Sequence, residues 1–158
     1  MNGEQIEALI PQMLENRYPG TYRRAFEETA PGNGWVVEHE GMVSLVRAAG
    51  ASHPFIWMKI GMAIEIPRSP ELAYYVAAAN KKLDVGRAYM AYGEDLAFVV
   101  MDETVFAASL SWDFEPSISD LLSRYQTSWT QARNMATEIF ERFGGRPFAP
   151  DEWMHLAF

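Results

Sequence analysis

The sequence predicts an α+β fold in the order α-βββ-α-βββ-α, with an antiparallel sheet and helices packed mainly on one of its faces. Three observations carry this. In the run from Phe55 to Ile66, Ile56, Met58, Ile60, Met62, Ile64 and Ile66 are all apolar at every second position, the period of a strand with one face in a core. From Ile118 to Phe143 the apolar residues recur at intervals of four and three, the period of a long helix. Between these runs lie short apolar segments separated by turn and cap signals.

Taken in order, a first helix is predicted over about 3–16, with Ile6, Leu9, Ile10, Met13 and Leu14 on one face and Pro11 as a kink point. The Pro- and Gly-containing stretch 17–34 reads as a connection, with a short helical turn around Ala25 and with Arg23 and Arg24 in a solvated loop. Residues 35–40 and 42–49 flank Gly41 as a hairpin, and 55–66 form the long third strand. Ser69 and Pro70 then start a helix, as N-cap and first helical residue, with Glu71 in its first turn.

Three further strands are predicted at 87–92, 96–101 and 105–112, joined by turns at Gly93-Glu94 and Asp102-Glu103. This register puts Met90, Tyr92, Ala97, Val99, Met101, Phe106, Ala108, Leu110 and Trp112 on the helix-covered face. It puts Arg87, Tyr89, Leu96, Phe98, Val100, Val105, Ala107, Ser109 and Ser111 on the other. In the last helix, Ser117 and Asp120 have capping-box spacing, and Gly144-Gly145 supply the stop. Its stripe suits a coiled coil or a helix lying across a sheet; the many strands and sparse flanking charges favour the sheet.

A chain of 158 residues, 49% apolar and 22% charged, is expected to form a single domain over 1–158, with a core at 35–145 and a C-terminal tail at 146–158. Its net charge of −8 argues against nucleic acid as a partner. The absence of cysteine excludes disulfides, thiol catalysis and thiolate metal sites. The N-terminus lacks the basic region of a signal peptide, and no apolar run is long enough to insert in a membrane. A cytoplasmic location is expected.

No phosphate loop, dinucleotide fingerprint or nucleophile elbow occurs. His39, His53 and His155 have no partner at metal-ligand spacing, and Glu38 and Glu40 flank His39 on the opposite strand face. Glu94, Asp95, Asp102 and Glu103 are explained by turn chemistry. Met58, Met62, Met90 and Met101 fall on the core face. The sequence therefore offers no catalytic residue, no metal site and no cofactor.

The second sheet face still carries large apolar residues, whereas a face left to water is normally polar. The first helix, the aromatic tail, a second subunit or a bound peptide are the available covers. Phe55, Trp57, Tyr89, Leu96, Phe98 and Val100 are the candidate partner-binding residues.

A strand ending in IEIP, the helix ELAYYVAAANKK, further strands and a long helix closing with IFERFGG together resemble the YbjN-like proteins, which share the fold of type III secretion chaperones. The similarity spans roughly residues 35–145, and Asn80 and the pair Phe143-Gly144 are its most specific positions. The resemblance implies a non-enzymatic homodimer, and its chaperone relatives hold partner segments in extended form. The leading functional reading is thus a chaperone-like protein- or peptide-binding protein that uses an apolar sheet face or edge. The alternatives are a small-ligand protein or enzyme with a pocket beside the sheet, using His39 or a turn carboxylate, and a regulatory adaptor.

Overall fold

The computed structural model describes residues 1–25, 34–50, 52–110 and 113–157. Among them are helices α1 (Gly3–Arg17), α2 (Pro70–Ala79) and α3 (Phe114–Phe143), and strands β1 (Tyr22–Arg24), β2 (Gly34–His39), β3 (Met42–Ala49), β4 (Phe55–Pro67), β5 (Arg87–Tyr92) and β6 (Leu96–Phe106). The strands form one antiparallel sheet in the order β1-β2-β3-β4-β6-β5. The predicted α+β class and antiparallel sheet are what the structure contains. The strands divide four and two around α2, however, not three and three.

Two local differences produce that division. Arg23 and Arg24, expected in a loop, pair with Val36 and Trp35 in β1. The expected turn at Asp102-Glu103 does not form: β6 runs straight through it and ends at Phe106, before a short 3-10 turn over Ala107–Ser109. Both carboxylates find partners from distant elements, which lets a strand interior hold them: Asp102 meets Trp57 and Arg87, and Glu103 meets Arg124. The straight strand reverses the predicted facing of residues 105–108. Val105 and Ala107 lie in the core, whereas Phe106 and Ala108 are exposed. Tyr92, also expected in the core, is exposed and lies under the Arg68 guanidinium. Ser111 and Trp112, expected in the last strand, lie outside the described residues, as does most of the connection after Ala25.

The helical elements follow their local chemistry. Asn2 caps α1 and forms a reciprocal capping box with Gln5, and Pro11 is carried inside one continuous helix. The Ser69 side chain accepts from the Leu72 N–H, with Pro70 at the first helical position. α3 starts four residues earlier than the capping-box spacing suggests. Asp113 occupies its N-cap position, and the Ser117 hydroxyl donates to the Asp113 carbonyl from within the first turn. Gly144 and Gly145, with φ of 80° and 87°, end it.

All three helices cover the same sheet face. Ile6, Leu9, Ile10 and Met13 of α1, Leu72 and Val76 of α2, and Leu121, Tyr125, Ala132 and Ile139 of α3 share one core with Ile56, Met58, Ile60, Met62 and Ile66 of β4. The α3 stripe therefore packs across the sheet. Ile64 departs from the predicted alternation. Register shifts between Gly61 and Ile66, together with Glu65 at φ 57°, turn its side chain to the second face.

A second, smaller core lies on that opposite face. There the C-terminal tail lays Phe148, Trp153 and Leu156 over Val36, Val43, Leu45 and Val100. The tail is tied down by a two-way backbone bridge between Ile64 and Arg146, and by the Arg146 guanidinium, which donates to both Glu65 and Glu152. Of the covers considered from sequence, the tail serves and α1 does not.

Candidate functional site: the open half of the second face

The tail covers only part of the second face. Beyond it, toward the start of β4 and the end of β6, none of the described residues covers the sheet, and its side chains enclose a shallow cavity of about 720 Å³. Strand alternation explains which residues meet there. Arg47 and Ala49 of β3, Phe55, Trp57 and Lys59 of β4, Arg87 and Tyr89 of β5, and Asp102, Thr104 and Phe106 of β6 all project from this face.

The register aligns them in rows. Lys59 is opposite Asp102, which is itself opposite Arg87, so one line of charge crosses three strands. The next row sets Arg47 opposite Trp57 and Trp57 opposite Thr104. The Trp57 indole N–H donates diagonally to Asp102 Oδ1 at 2.9 Å, and Arg87 pairs with Asp102 Oδ2 at 3.4 Å. Phe55 and Phe106, directly opposite, pack at a tilt of 57° with ring centroids 5.9 Å apart and form the outer wall.

Lys59 is the most unusual member. It is 4% exposed, with Nζ 3.8 Å from the Trp57 ring centroid and 5.2 Å from that of Tyr89. Cations favour aromatic faces, which offsets part of the desolvation. Burial still lowers the Lys59 pKa to about 8; Asp102 opposes that shift, while Arg87 and Arg47 add to it. Tyr89 is pushed up to about 12, chiefly by burial and then by the Asp102 charge. Among the described residues, its buried hydroxyl has no hydrogen-bond partner.

The six predicted partner-binding residues separate. Phe55, Trp57 and Tyr89 come together in the cavity. Val100 is fully buried beneath the tail, and Phe98 packs against Phe148 and His155, so both serve tail docking. Leu96 is exposed at the far end of β6, opposite Pro67. Sequence reasoning missed Arg47, Lys59, Arg87, Asp102 and Phe106. Lys59 had a visible signal, since it alternates with Phe55 and Trp57; Asp102 and Phe106 were misplaced by the expected turn.

An open strand margin adjoins the cavity. The Ala107 N–H donates to the Pro54 carbonyl beside β4. Alternation then turns the main-chain groups of Val105 toward β4, and those of Thr104 and Phe106 away from it. On that outer side β5 begins only at Arg87, opposite Asp102, and among the described residues no strand pairs with β6 beyond that point. The Ser109 hydroxyl donates to the Phe106 carbonyl. The part of this same edge formed by β5 is treated differently: the Asn80 carboxamide accepts from the Ala88 N–H and donates to the Ala88 carbonyl, capping the outward groups of β5 at that residue.

His39 and Glu103 lie on the helix-covered face. His39 sits among Tyr18, Trp129 and Glu40, and Glu103 is paired with Arg124 with its pKa raised by burial. Neither lines the open cavity. Among the described residues, no group of three acidic or histidine side chains could hold a metal ion, and no helix is long and apolar enough to cross a membrane.

No family model matches the chain, and no curated protein matches it. Solved structures do share its architecture. A structure of an uncharacterized protein from Methanothermobacter thermautotrophicus superposes with a TM-score of 0.61 at 18% identity, over 87% of this chain and 99% of that one. That of YbjN from E. coli, described as a candidate transcription regulator, gives 0.53 at 11% identity, over 83% and 91%. The chain has the YbjN-like fold.

Proposed function

We propose that the protein is a non-enzymatic, chaperone-like binding protein that holds a partner's segment in extended form along the open margin of β6 and over the open half of the second sheet face. The observation that carries this is the adjacency of two things: outward main-chain groups at Thr104 that no strand pairs among the described residues, and a cavity walled by Phe55, Trp57 and Phe106. Strand addition supplies main-chain hydrogen bonds, and pockets for alternate side chains supply selectivity. The tail is a precedent within the chain: an extended segment bridges Ile64 through Arg146 and seats an aromatic ring on this same face.

The small-ligand reading draws on the same cavity; of its expected residues Asp102 lines it, from a strand and not from a turn, whereas His39, Glu94, Asp95 and Glu103 do not. A regulatory adaptor would use the surface in the same way and differ in the partner. The homodimer implied by the resemblance supplies a specific competitor, since a second copy could occupy the same margin.

The test is selection of extended peptides from a random library of about twelve residues on the immobilised protein. Thr104→Pro, which removes an edge N–H, and Phe106→Ser, at a side chain already 55% exposed, should each weaken binding of the selected peptides about tenfold or more while leaving the thermal melt unchanged. Peptides bound equally by both variants would overturn the assignment. Light scattering that shows a dimer of the 17.9 kDa chain, broken by Phe106→Ser, would make a second copy the occupant.

A further inference from the structure

We infer that the docking surface continues beneath the C-terminal tail. Residues 146–156 act as a displaceable strap, whose place is taken by a partner segment that seats an aromatic side chain over Gly61 as Phe148 does. The inference rests on the segment-binding reading above and specifies how access to that face is regulated and which side chain it takes.

Continuity is the first ground. The cavity and the floor under the tail belong to one face of one sheet, and three strands carry one into the other within a single step of alternation. Leu45 of the floor is followed two residues later by Arg47 of the cavity, and Val100 by Asp102; Gly61, beneath Phe148, follows two residues after Lys59. Tyr89 lines the cavity and also a cleft of about 710 Å³ along the tail's border, between Ala91 and Phe98 of the sheet and Asp151, Met154 and His155 of the tail. Its buried hydroxyl has no hydrogen-bond partner among the described residues. A segment entering from the cavity therefore meets a cleft at the edge of the tail.

The attachment of the tail is the second ground, because it is that of an added segment. A backbone bridge joins Arg146 to Ile64, the Phe148 ring sits over Gly61, and Pro150–Leu156 form a 3-10 turn, whose hydrogen bonds are poorer than those of an α-helix. The ion pairs of Arg146 with Glu65 and Glu152 join part-exposed side chains, and such pairs are individually weak. Gly144 and Gly145, both at positive φ, place a hinge between α3 and the tail. Among the described residues, the core under the tail shares no member with the core under the helices, so the tail can lift while the larger core stays intact. A bare floor would present Val36, Val43, Leu45 and Val100 to water, so the tail leaves as another apolar segment arrives. Gly61 contributes no side chain to that floor, and the socket it leaves takes a ring.

The test uses the full chain and random peptides of about twenty residues, long enough to reach from the cavity across the floor. Enriched peptides should carry an aromatic residue, and their binding to the wild-type protein should strip the amides of 147–156 of exchange protection. A covalent lock supplies the second arm. The chain has no cysteine, and a Cβ on Gly61 would stand 2.8 Å from Phe148 Cγ, so Gly61→Cys with Phe148→Cys brings two thiols within bonding reach. The oxidised form should bind the enriched peptides about tenfold or more weakly than its own reduced form, because only the population with the tail lifted is competent. The exchange arm uses the unaltered chain and decides alone if the cysteine pair does not fold. Enriched peptides that lack an aromatic residue, that bind while the tail keeps its protection, or that bind both redox forms equally overturn the strap while the segment reading stands. Failure of any peptide to enrich on the wild-type protein overturns both.

Discussion

Gly61 and Phe148 meet across the second sheet face with no room for a side chain between them: a Cβ on Gly61 would stand 2.6 Å from Phe148 Cδ2. Gly61 is the point in β4 where the strand gives up its own side chain so that the tail's ring can replace it. Gly61→Ala should push Phe148 outward and cost about 1–3 kcal/mol in denaturant unfolding, with faster amide exchange over 147–156. An alanine variant with wild-type exchange across the tail would show that the ring is not seated on the strand.

The buried ammonium of Lys59 predicts a pH dependence with a definite sign. Its pKa is about 8 in the fold and near 10.5 when exposed, so the unfolded chain binds more protons between those values. The Lys59 contribution to stability therefore rises as pH climbs from about 8 to 10.5, by an amount on the order of 2 kcal/mol. Lys59→Met removes that dependence, and the variant's advantage over wild type should be largest at pH 7 and shrink by pH 10. Parallel stability curves across that window would place the amine in water.

Arg146 fastens the tail in the opposite pH range. Its guanidinium and the Ala149 N–H hold Glu152 down to about 2, with Arg146 the larger cause, and Glu65 is lowered by the same guanidinium. A depressed carboxylate contributes above its unfolded pKa near 4.5, and that contribution is lost as pH falls toward 2. Protection of the tail amides, taken relative to the intrinsic exchange rate at each pH, should fall over that interval in the wild type, and the gap between wild type and Glu152→Gln should close at its acid end. A gap that persists at pH 2 would mean that Glu152 acts by packing, not by charge.

What the sequence made legible is what local chemistry decides. The alternation of β4 as far as Met62, the Ser69 cap of α2, the Gly144-Gly145 stop and the α3 stripe each depend on neighbours within one element, and each stands where the pattern put it. What was misread depends on partners far along the chain. Asp102 and Glu103 look like a turn until Trp57, Arg87 and Arg124 are brought beside them. The same holds for Arg23 and Arg24, which become strand residues only because β2 is there to pair with them. Phe55, Trp57 and Tyr89 of the candidate site could be read from strand period alone. Its charged half needed the register of β3, β4, β6 and β5, because Arg47, Lys59, Asp102 and Arg87 converge only once four strands are aligned.

The contrast between the β6 and β5 stretches of this one sheet edge gives the last prediction. Beyond Asp102, among the described residues, the β6 margin is left open, whereas β5 is closed by one side chain: Asn80 answers both outward groups of Ala88, at 2.7 and 2.8 Å. Ala88 is only 4% exposed, so removing the carboxamide strands a buried donor and a buried acceptor. Asn80→Ala should cost about 1–3 kcal/mol in thermal or denaturant unfolding. It should also create a second free stretch on that edge, because unpaired strand margins recruit other strands. Light scattering should then show concentration-dependent association beyond that of the wild type, and adding Met90→Lys on the same strand should suppress it. If Asn80→Ala melts with the wild type and scatters like it, the carboxamide is not what keeps that margin closed, and the selectivity for β6 must come from its pocket alone.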